Sequence, residues 1–244
     1  MTRIDDRRNE SGNILFMILL AIVLIGALTV AIQSGNNAET SNIDDEALVI
    51  RASEIQRYAS ELERAVGYVL SNGHSEVDIR FAHGDAHADY GDLSADTDTT
   101  DQVFARDGGA AKYRTPPSSI TTSAGQAWEF YGGTHMPQVG SARPDLIAVL
   151  PNVTQAFCDK INALNDQTTQ PLDTGGSAAS GNNAGDCVDL GSVGRFGNGE
   201  EFYDPAVNTP NTTDEASFTS KPAYQACVQC DSGANYFYHV LLTR

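Results

Sequence analysis

The sequence predicts an α+β protein in which one long N-terminal helix, transmembrane and then amphipathic, packs against a small antiparallel β-sheet head. Three features of the 244 residues predict it: an uncharged apolar run near the N-terminus, a helical apolar stripe after it, and short β-prone segments between polar connections. The predicted division is a cytoplasmic leader (1–12), a transmembrane helix (13–33), an amphipathic stem (34–72) and an extracytoplasmic head (73–244).

The predicted transmembrane helix rests on residues 14–32, which are 19 residues without a charge. As a helix they would be about 28 Å long, close to the thickness of the hydrocarbon core of a bilayer. A cleaved secretory signal usually has a shorter apolar core, of about 7 to 15 residues. Arg3, Arg7 and Arg8 precede the run and no Lys or Arg follows before Arg51. The sequence therefore predicts a single pass through the bacterial inner membrane with a cytoplasmic N-terminus.

The amphipathic stem is predicted from apolar residues that recur every three or four positions after a polar break at residues 34–42. They are Leu48, Ala52, Ile55, Ala59, Leu62, Val66 and Val69. Ser41 with Asp44 is a start signal for this helix, and Asn72 with Gly73 is a stop signal. This pattern predicts a helix of about seven turns with one buried face.

The head is predicted to contain short strands and one further helix. Residues 76–81, 126–131 and 235–243 are β-prone, and residues 145–150 suit either a buried strand or a helical turn. Asn152 is the expected N-cap of a helix over residues 153–164. Residues from about 166 to 186 include a stretch rich in Gly, Ser, Asn and Thr, which predicts a flexible surface loop.

The leader MTRIDDRRNESG ends in Gly12, immediately before the apolar residues that begin Asn13, Ile14, Leu15, Phe16, Met17. This junction resembles the processing signal of type IV pilins and pseudopilins. The resemblance implies that a prepilin peptidase cuts between Gly12 and Asn13 and that the apolar helix then packs against other subunits in a filament. The family usually begins its mature chain with Phe or Met and carries Glu where this chain has Met17, so the resemblance implies a minor or atypical subunit. A plain signal anchor is the alternative.

Four cysteines, Cys158, Cys187, Cys227 and Cys230, would lie outside the cytoplasm, where disulfides persist. Of the three connectivities, chain entropy disfavours Cys227 with Cys230, which closes a very short loop, and the pairs Cys158 with Cys227 and Cys187 with Cys230 are favoured. A zinc site from all four is possible by count. Cys227 and Cys230 also form a CxxC, but it precedes a predicted strand rather than the helix N-terminus of a redox site.

An acidic stretch between Phe81 and Ala105 holds six Asp and no Lys or Arg. Asp96, Asp98 and Asp101 are the first candidates for Ca²⁺ ligands, although the stretch lacks the spacing of a Ca²⁺ loop. His83 and His87, four residues apart, could hold a transition metal if they lay on a helix. A solvated acidic loop is the simpler interpretation, and the sequence predicts no metal or other cofactor.

The formal net charge of −17, from 15 basic and 32 acidic residues, argues against a basic surface that binds nucleic acid. The chain has no GxSxG, HExxH or phosphate-binding Gly loop, so no enzyme is predicted. The predicted function is a structural subunit, minor or atypical, of a type IV pilus-like or pseudopilus filament at the cell surface. Its predicted partners are related subunits, a prepilin peptidase and the inner membrane. The alternative is a single-pass anchored periplasmic binding or scaffold protein that does not polymerise.

Overall fold

A computed structural model describes residues 10–173, 195–197, 202, 211–230 and 232–244, without the side chains of 10–15, 27–44, 211 and 212. The chain forms two compact units, Met1–Ala47 and Leu48–Arg244. Its helices are α1 (Glu10–Ser71) and α2 (Gln155–Leu164), with short 3-10 helices between them and near the C-terminal strands. Its strands are β1 (Glu129–His135), β2 (Asp145–Val153), β3 (Leu172–Asp173), β4 (Asn211–Thr212), β5 (Gln225–Cys230) and β6 (Asn235–Leu242).

The six strands form one mixed sheet in the order β3-β5-β6-β2-β1-β4. The four inner strands are antiparallel, whereas β3 pairs with β5 and β4 pairs with β1 in parallel. The predicted fold class, with a small antiparallel sheet, is therefore wrong. Each outer strand is only two residues long and joins the sheet by a contact distant in sequence, which a local pattern of apolar residues cannot reveal.

The predicted transmembrane helix is the second part of the fold class that the structure contradicts. Within the described residues, no helix reaches the length and apolarity needed to cross a bilayer. Residues 13–33 belong to α1, whose 62 residues also include the polar positions 34–42. The predicted break at those positions is therefore wrong. Residues such as Gly and Asn cost a helix only about 1 kcal/mol or less each, and this segment contains no Pro, so the helix can continue through it.

The predicted apolar stripe of the stem is confirmed. Its members from Ala52 onward are buried in the main core, and Leu48 packs against the same core. Tyr58 and Ala65 join them on the buried face. The helix ends at Ser71, and Gly73 follows with a φ of +99°, a conformation that favours glycine, so the predicted stop is also confirmed. Each large apolar side chain buried in this way contributes about 1.5–3 kcal/mol.

The strand β2 is buried on both faces of the sheet. Leu146, Ala148 and Leu150 lie in the core that α1 contributes to, whereas Ile147 and Val149 lie in a second core on the opposite face. Residues 145–150 therefore form a strand and not a helical turn, and their continuous apolar sequence reflects burial on both sides. The strand β6 is confirmed close to its predicted bounds, whereas β1 starts and ends later than residues 126–131.

The predicted cap of α2 is wrong by two residues. Asn152 lies within β2 with a φ of +54°, and its carbonyl oxygen accepts a hydrogen bond from the backbone nitrogen of Thr122 at 2.8 Å. The N-cap is Thr154, whose hydroxyl oxygen accepts a hydrogen bond from the backbone nitrogen of Phe157 at 3.4 Å. The strand pairing that holds Asn152 overrides its own capping preference.

The predicted strand over residues 76–81 is also wrong, because it begins with a 3-10 helix at Glu76–Asp78. The carboxylate of Asp78 accepts hydrogen bonds from the backbone nitrogen and the hydroxyl of Ser75 at 2.9 and 2.8 Å. Such local bonds compete with strand pairing. In the predicted flexible loop, residues 166–173 include β3 and hydrogen bonds from Gln167 to Ser220, and the remainder lies outside the described residues.

Candidate functional site

The first candidate site is an apolar segment of α1, residues 16–24. Its eight large side chains are between 46% and 64% exposed. They are Phe16, Met17, Ile18, Leu19, Leu20, Ile22, Val23 and Leu24. Since successive residues of a helix are rotated by about 100°, nine residues cover every side of it. This apolar segment therefore presents apolar surface all around the helix.

The predicted processing site lies just before this segment. Gly12 and Asn13 have helical backbone in the first turn of α1. Their side chains and the leader residues 1–9 lie outside the description. Met17 is exposed on the apolar segment and brings no charge to it.

On β1 and β5, which the two-residue strands β4 and β3 cover only in part, a side chain bonds the backbone as a neighbouring strand would. The phenol oxygen of Tyr90 accepts a hydrogen bond from the Phe130 backbone nitrogen at 2.6 Å and donates one to its carbonyl oxygen at 3.2 Å. The amide of Asn162 does the same for Cys227, with both bonds at 2.9 Å. Burial raises the pKa of Tyr90 well above its usual value, so the phenol stays neutral and can donate. At these positions the sheet does not offer free backbone groups to another strand.

The predicted disulfide between Cys158 and Cys227 is confirmed, and it joins α2 to β5. Both residues are fully buried. Cys230 is also disulfide-bonded, and the predicted bond to Cys187 involves a residue outside the described part of the chain. The bond between Cys158 and Cys227 excludes the alternative of a zinc site from four thiolates and is consistent with a structural rather than a redox role for the CxxC.

The candidate metal ligands do not converge. The carboxylate of Asp98 accepts hydrogen bonds from the backbone and hydroxyl of Thr100 at 3.1 and 2.7 Å, and that of Asp96 accepts one from the side-chain amide of Gln102. One oxygen of Asp101 is buried, and burial raises the pKa of this carboxyl. In the described segments, no three His, Cys, Asp or Glu side chains come together as a metal site.

The two histidines beside the acidic stretch cap turns instead of facing each other on a helix. The Nδ1 atom of His83 accepts a hydrogen bond from the backbone nitrogen of Asp85 at 3.1 Å, and that of His87 accepts one from Asp89 at 3.2 Å. The ring of His83 also stacks on Tyr113 at a centroid distance of 4.7 Å. These contacts give His83 and His87 a structural role in the turns.

The sequence analysis missed a groove between α1 and the loop at residues 114–117, with a volume of about 220 Å³. Trp128 and Tyr58 meet edge to face at 5.4 Å, and the guanidinium of Arg114 lies 5.2 Å from the centre of the Tyr58 ring. Glu61 pairs with Arg114 at 2.6 Å. The adjacent prolines at 116 and 117 were the available signal for this loop. The sequence does not reveal that the loop lies against α1, because that contact joins residues distant in the chain.

Charged side chains also join the elements of the second unit. His239 on β6 lies 3.0 Å from the carboxylate of Glu63 on α1. Arg195 pairs with Asp89 at 2.9 Å and with Glu129 at 3.0 Å. Asp145 is fully buried, and desolvation raises its pKa to about 6 although it accepts backbone hydrogen bonds from Met136 and Arg244.

The described residues offer an apolar helical surface, a sheet whose strands β1 and β5 are partly covered by side chains, and a disulfide between α2 and β5. Comparison of the chain with protein-family models, with curated proteins and with solved structures finds no match in any of the three.

Proposed function

We propose that this chain is a structural subunit of a type IV pilin-like filament, assembled through the apolar segment of α1. The observation that carries the proposal is the exposure of large apolar side chains on every side of residues 16–24. A helix that is apolar all round needs to be buried on all sides. We propose that the same segment of other copies, or of related subunits, surrounds it, with the helices packed side by side in a filament core.

The capped sheet supports assembly through α1 rather than through strand addition. Tyr90 and Asn162 occupy backbone groups of β1 and β5 beyond the two-residue outer strands, so a strand from another chain could not pair at Phe130 or Cys227. The disulfide between Cys158 and Cys227 supports an extracytoplasmic location for the second unit, because such bonds persist mainly in oxidising compartments. Both features suit a head that is displayed on the outside of a filament.

Processing after Gly12 by a prepilin peptidase is part of the proposal and rests on the resemblance of the leader. It predicts a mature chain that begins at Asn13. Mass spectrometry of protein purified from its native host tests this step, and a mature N-terminus at any other residue contradicts it. The inner membrane as a partner of the apolar segment before assembly stays a sequence-based prediction.

Electron microscopy of filaments sheared from cells, with labelling of this chain, tests assembly. Leu20→Glu places a charge in the apolar segment and should abolish filaments, since an unpaired charge in an apolar core is costly. Ser60→Glu is the matched control, because it adds the same charge at an exposed position of α1 and should leave filaments unchanged. Normal filaments from the Leu20→Glu variant would contradict assembly through this segment.

The charge of the chain predicts how assembly responds to ions. Residues 1–33 sum to zero, with Arg3, Arg7 and Arg8 against Asp5, Asp6 and Glu10, so residues 34–244 carry 12 − 29 = −17. Copies packed along a filament repel each other unless salt or cations screen the charge. Assembly should strengthen with added salt or divalent cations. A chain that remains monomeric under all these conditions would be a binding or scaffold protein instead.

A further inference from the structure

The groove between α1 and the loop at residues 114–117 lies within the second unit and is already formed without a ligand. The backbone nitrogen of Arg114 donates to the phenol oxygen of Tyr58 at 3.1 Å and so ties the loop to α1. Pro116 and Pro117 follow, and their rings fix the backbone φ of the loop. A groove held in this way can bind a ligand without a large entropic cost of ordering the loop.

The inner wall of the groove is apolar. Trp128, Tyr58 and Ile55 line it, with only 0%, 2% and 5% of their surfaces exposed, and the two prolines of the loop add further apolar surface. Ligand sites in proteins are lined mainly by apolar and aromatic side chains with a few polar groups that fix the orientation. This wall therefore suits the apolar part of a ligand.

Positive charge is in excess at the same groove. Arg57 from α1 and Arg114 from the loop both line it, together with Glu54. Glu54 pairs with Arg51 at 2.8 Å, and Glu61 pairs with Arg114 at 2.6 Å. Arg57 forms no ion pair with the part of the chain that the structure describes. Three arginines against two glutamates leave one positive charge at this groove, in a chain whose net charge is −17.

The size of the groove favours a free small molecule over a macromolecule. Its volume of about 220 Å³ is below the roughly 300–1,000 Å³ of pockets that hold drug-sized ligands. A protein partner would have to bury about 1,000 Å² in total, whereas only nine residues form the groove. A ligand with a single ring and a single charged group is of a suitable size.

We propose that the groove binds a small aromatic carboxylate, with the carboxylate at Arg57 and Arg114 and the ring against the apolar wall. A guanidinium group donates paired hydrogen bonds that match the two oxygens of a carboxylate. One negative charge balances the excess at the groove, whereas a phosphate monoester would bring about −1.5 to −2. This inference is independent of filament assembly.

Trp128 provides a readout, because it lines the groove and is the only tryptophan of the chain. We expect benzoate to change the tryptophan fluorescence of the full-length chain in a saturable way, with a Kd of about 1 mM or lower. Isothermal titration calorimetry measures the same Kd without an optical signal. A failure to reach saturation with millimolar benzoate by either method would overturn the inference.

Three further compounds test which parts of benzoate are recognised. Benzyl alcohol has the ring without the charge, and acetate has the charge without the ring. Phenyl phosphate has the ring with a phosphate in place of the carboxylate. Each should bind at least about tenfold more weakly than benzoate. Binding of benzyl alcohol, acetate or phenyl phosphate as tight as that of benzoate would contradict the assigned ligand class.

A pair of variants locates the binding site. Arg57→Gln removes the unpaired guanidinium at an exposed position and should raise the Kd for benzoate at least about tenfold. Arg64→Gln is the matched control, because it removes the same charge from an exposed position of α1 outside the groove, and it should leave the Kd unchanged. Circular dichroism checks that both variants fold. An unchanged Kd in Arg57→Gln, or an equal rise in both variants, would overturn the assignment to this groove.

Discussion

The side-chain amide of Asn162 pairs with the backbone of Cys227 as a neighbouring strand would. Its oxygen accepts from the Cys227 nitrogen and its nitrogen donates to the Cys227 carbonyl, both at 2.9 Å. Cys227 is at the same time bonded through sulfur to Cys158, one turn earlier on α2. The helix therefore holds β5 by one covalent bond and two hydrogen bonds at a single residue.

Replacing Asn162 with Leu should lower the free energy of unfolding by about 2–4 kcal/mol. The change leaves the buried nitrogen of Cys227 without its acceptor and removes one donor from its carbonyl, and each unsatisfied buried group costs about 1–3 kcal/mol. Denaturant unfolding of the oxidised protein measures the change. Ala163→Leu, at the next and exposed position of α2, should change stability by less than about 0.5 kcal/mol. Equal effects of the two substitutions would show that the pairing does not stabilise the fold.

Removing the disulfide between Cys158 and Cys227 should cost on the order of 4 kcal/mol. The bond spans a sequence separation of 69 residues, for which chain entropy in the unfolded state gives about this value. The double variant Cys158→Ala, Cys227→Ala is compared with the parent by denaturant unfolding. A second version, Cys158→Val with Cys227→Ala, restores volume and separates lost packing from the lost crosslink. A loss below about 1 kcal/mol in both versions would contradict the crosslink's role.

Stability should decrease as pH rises from about 4 to about 6.5 because of Asp145. Its folded pKa of about 6 lies above the usual 3.8. The folded state therefore binds this proton more tightly, and the stability that it contributes is present below pH 3.8 and lost as pH rises through 6. The contribution is at most about 3 kcal/mol at 1.36 kcal/mol per pKa unit.

The difference in pH dependence between the parent and Asp145→Asn isolates this group, whatever the absolute stability of the variant. We expect a flatter profile for Asp145→Asn between pH 4 and 6.5. Asp159→Asn, at an exposed position of α2, should keep the slope of the parent. Parallel profiles for the parent and Asp145→Asn would contradict the raised pKa.

Replacing each of two glycines with alanine should change the stability of the protein in opposite directions. A Cβ atom at Gly109 would lie 2.5 Å from the carbonyl oxygen of Val103 and 2.9 Å from that of Ala65 on α1, whereas one at Gly67 of α1 meets nothing within 4 Å. Gly109→Ala should destabilise the protein by about 1–3 kcal/mol, as overpacking does. Gly67→Ala should stabilise it by up to about 1 kcal/mol, since alanine favours a helix. Thermal or denaturant unfolding measures both, and a neutral Gly109→Ala would show that the loop can move away from α1.

Local periodicity predicted the elements whose burial repeats along the chain. The stripe from Leu48 to Val69 and the terminal strand were predictable because one face of each meets the core at a regular interval. The turn at residues 75–78 was not predictable from alternation, because the Ser75 and Asp78 side chains bond to each other and to the local backbone. The cap of α2 was misplaced because Asn152 is held in a strand by Thr122.

Some of the candidate sites were also predictable from the sequence, and others were not. The apolar segment follows from composition, a property of the linear chain, and chain entropy disfavours a bond between Cys227 and Cys230. The pairing of Cys158 with Cys227 itself depends on the tertiary contact between α2 and β5. The capping of the sheet by Tyr90 and Asn162 and the contact of His239 with Glu63 join residues 40, 65 and 176 positions apart. No local pattern encodes such distances.

The sequence by itself determined the helical stripe of the stem, the last strand and the apolar character of residues 16–24, and it favoured the disulfide between Cys158 and Cys227. Tertiary structure decided that the sheet is mixed and which polar side chains bond the backbone of β1 and β5. The physical reason is that periodic burial acts on neighbouring residues, whereas strand order and directional hydrogen bonds depend on which distant segments the folded core brings together.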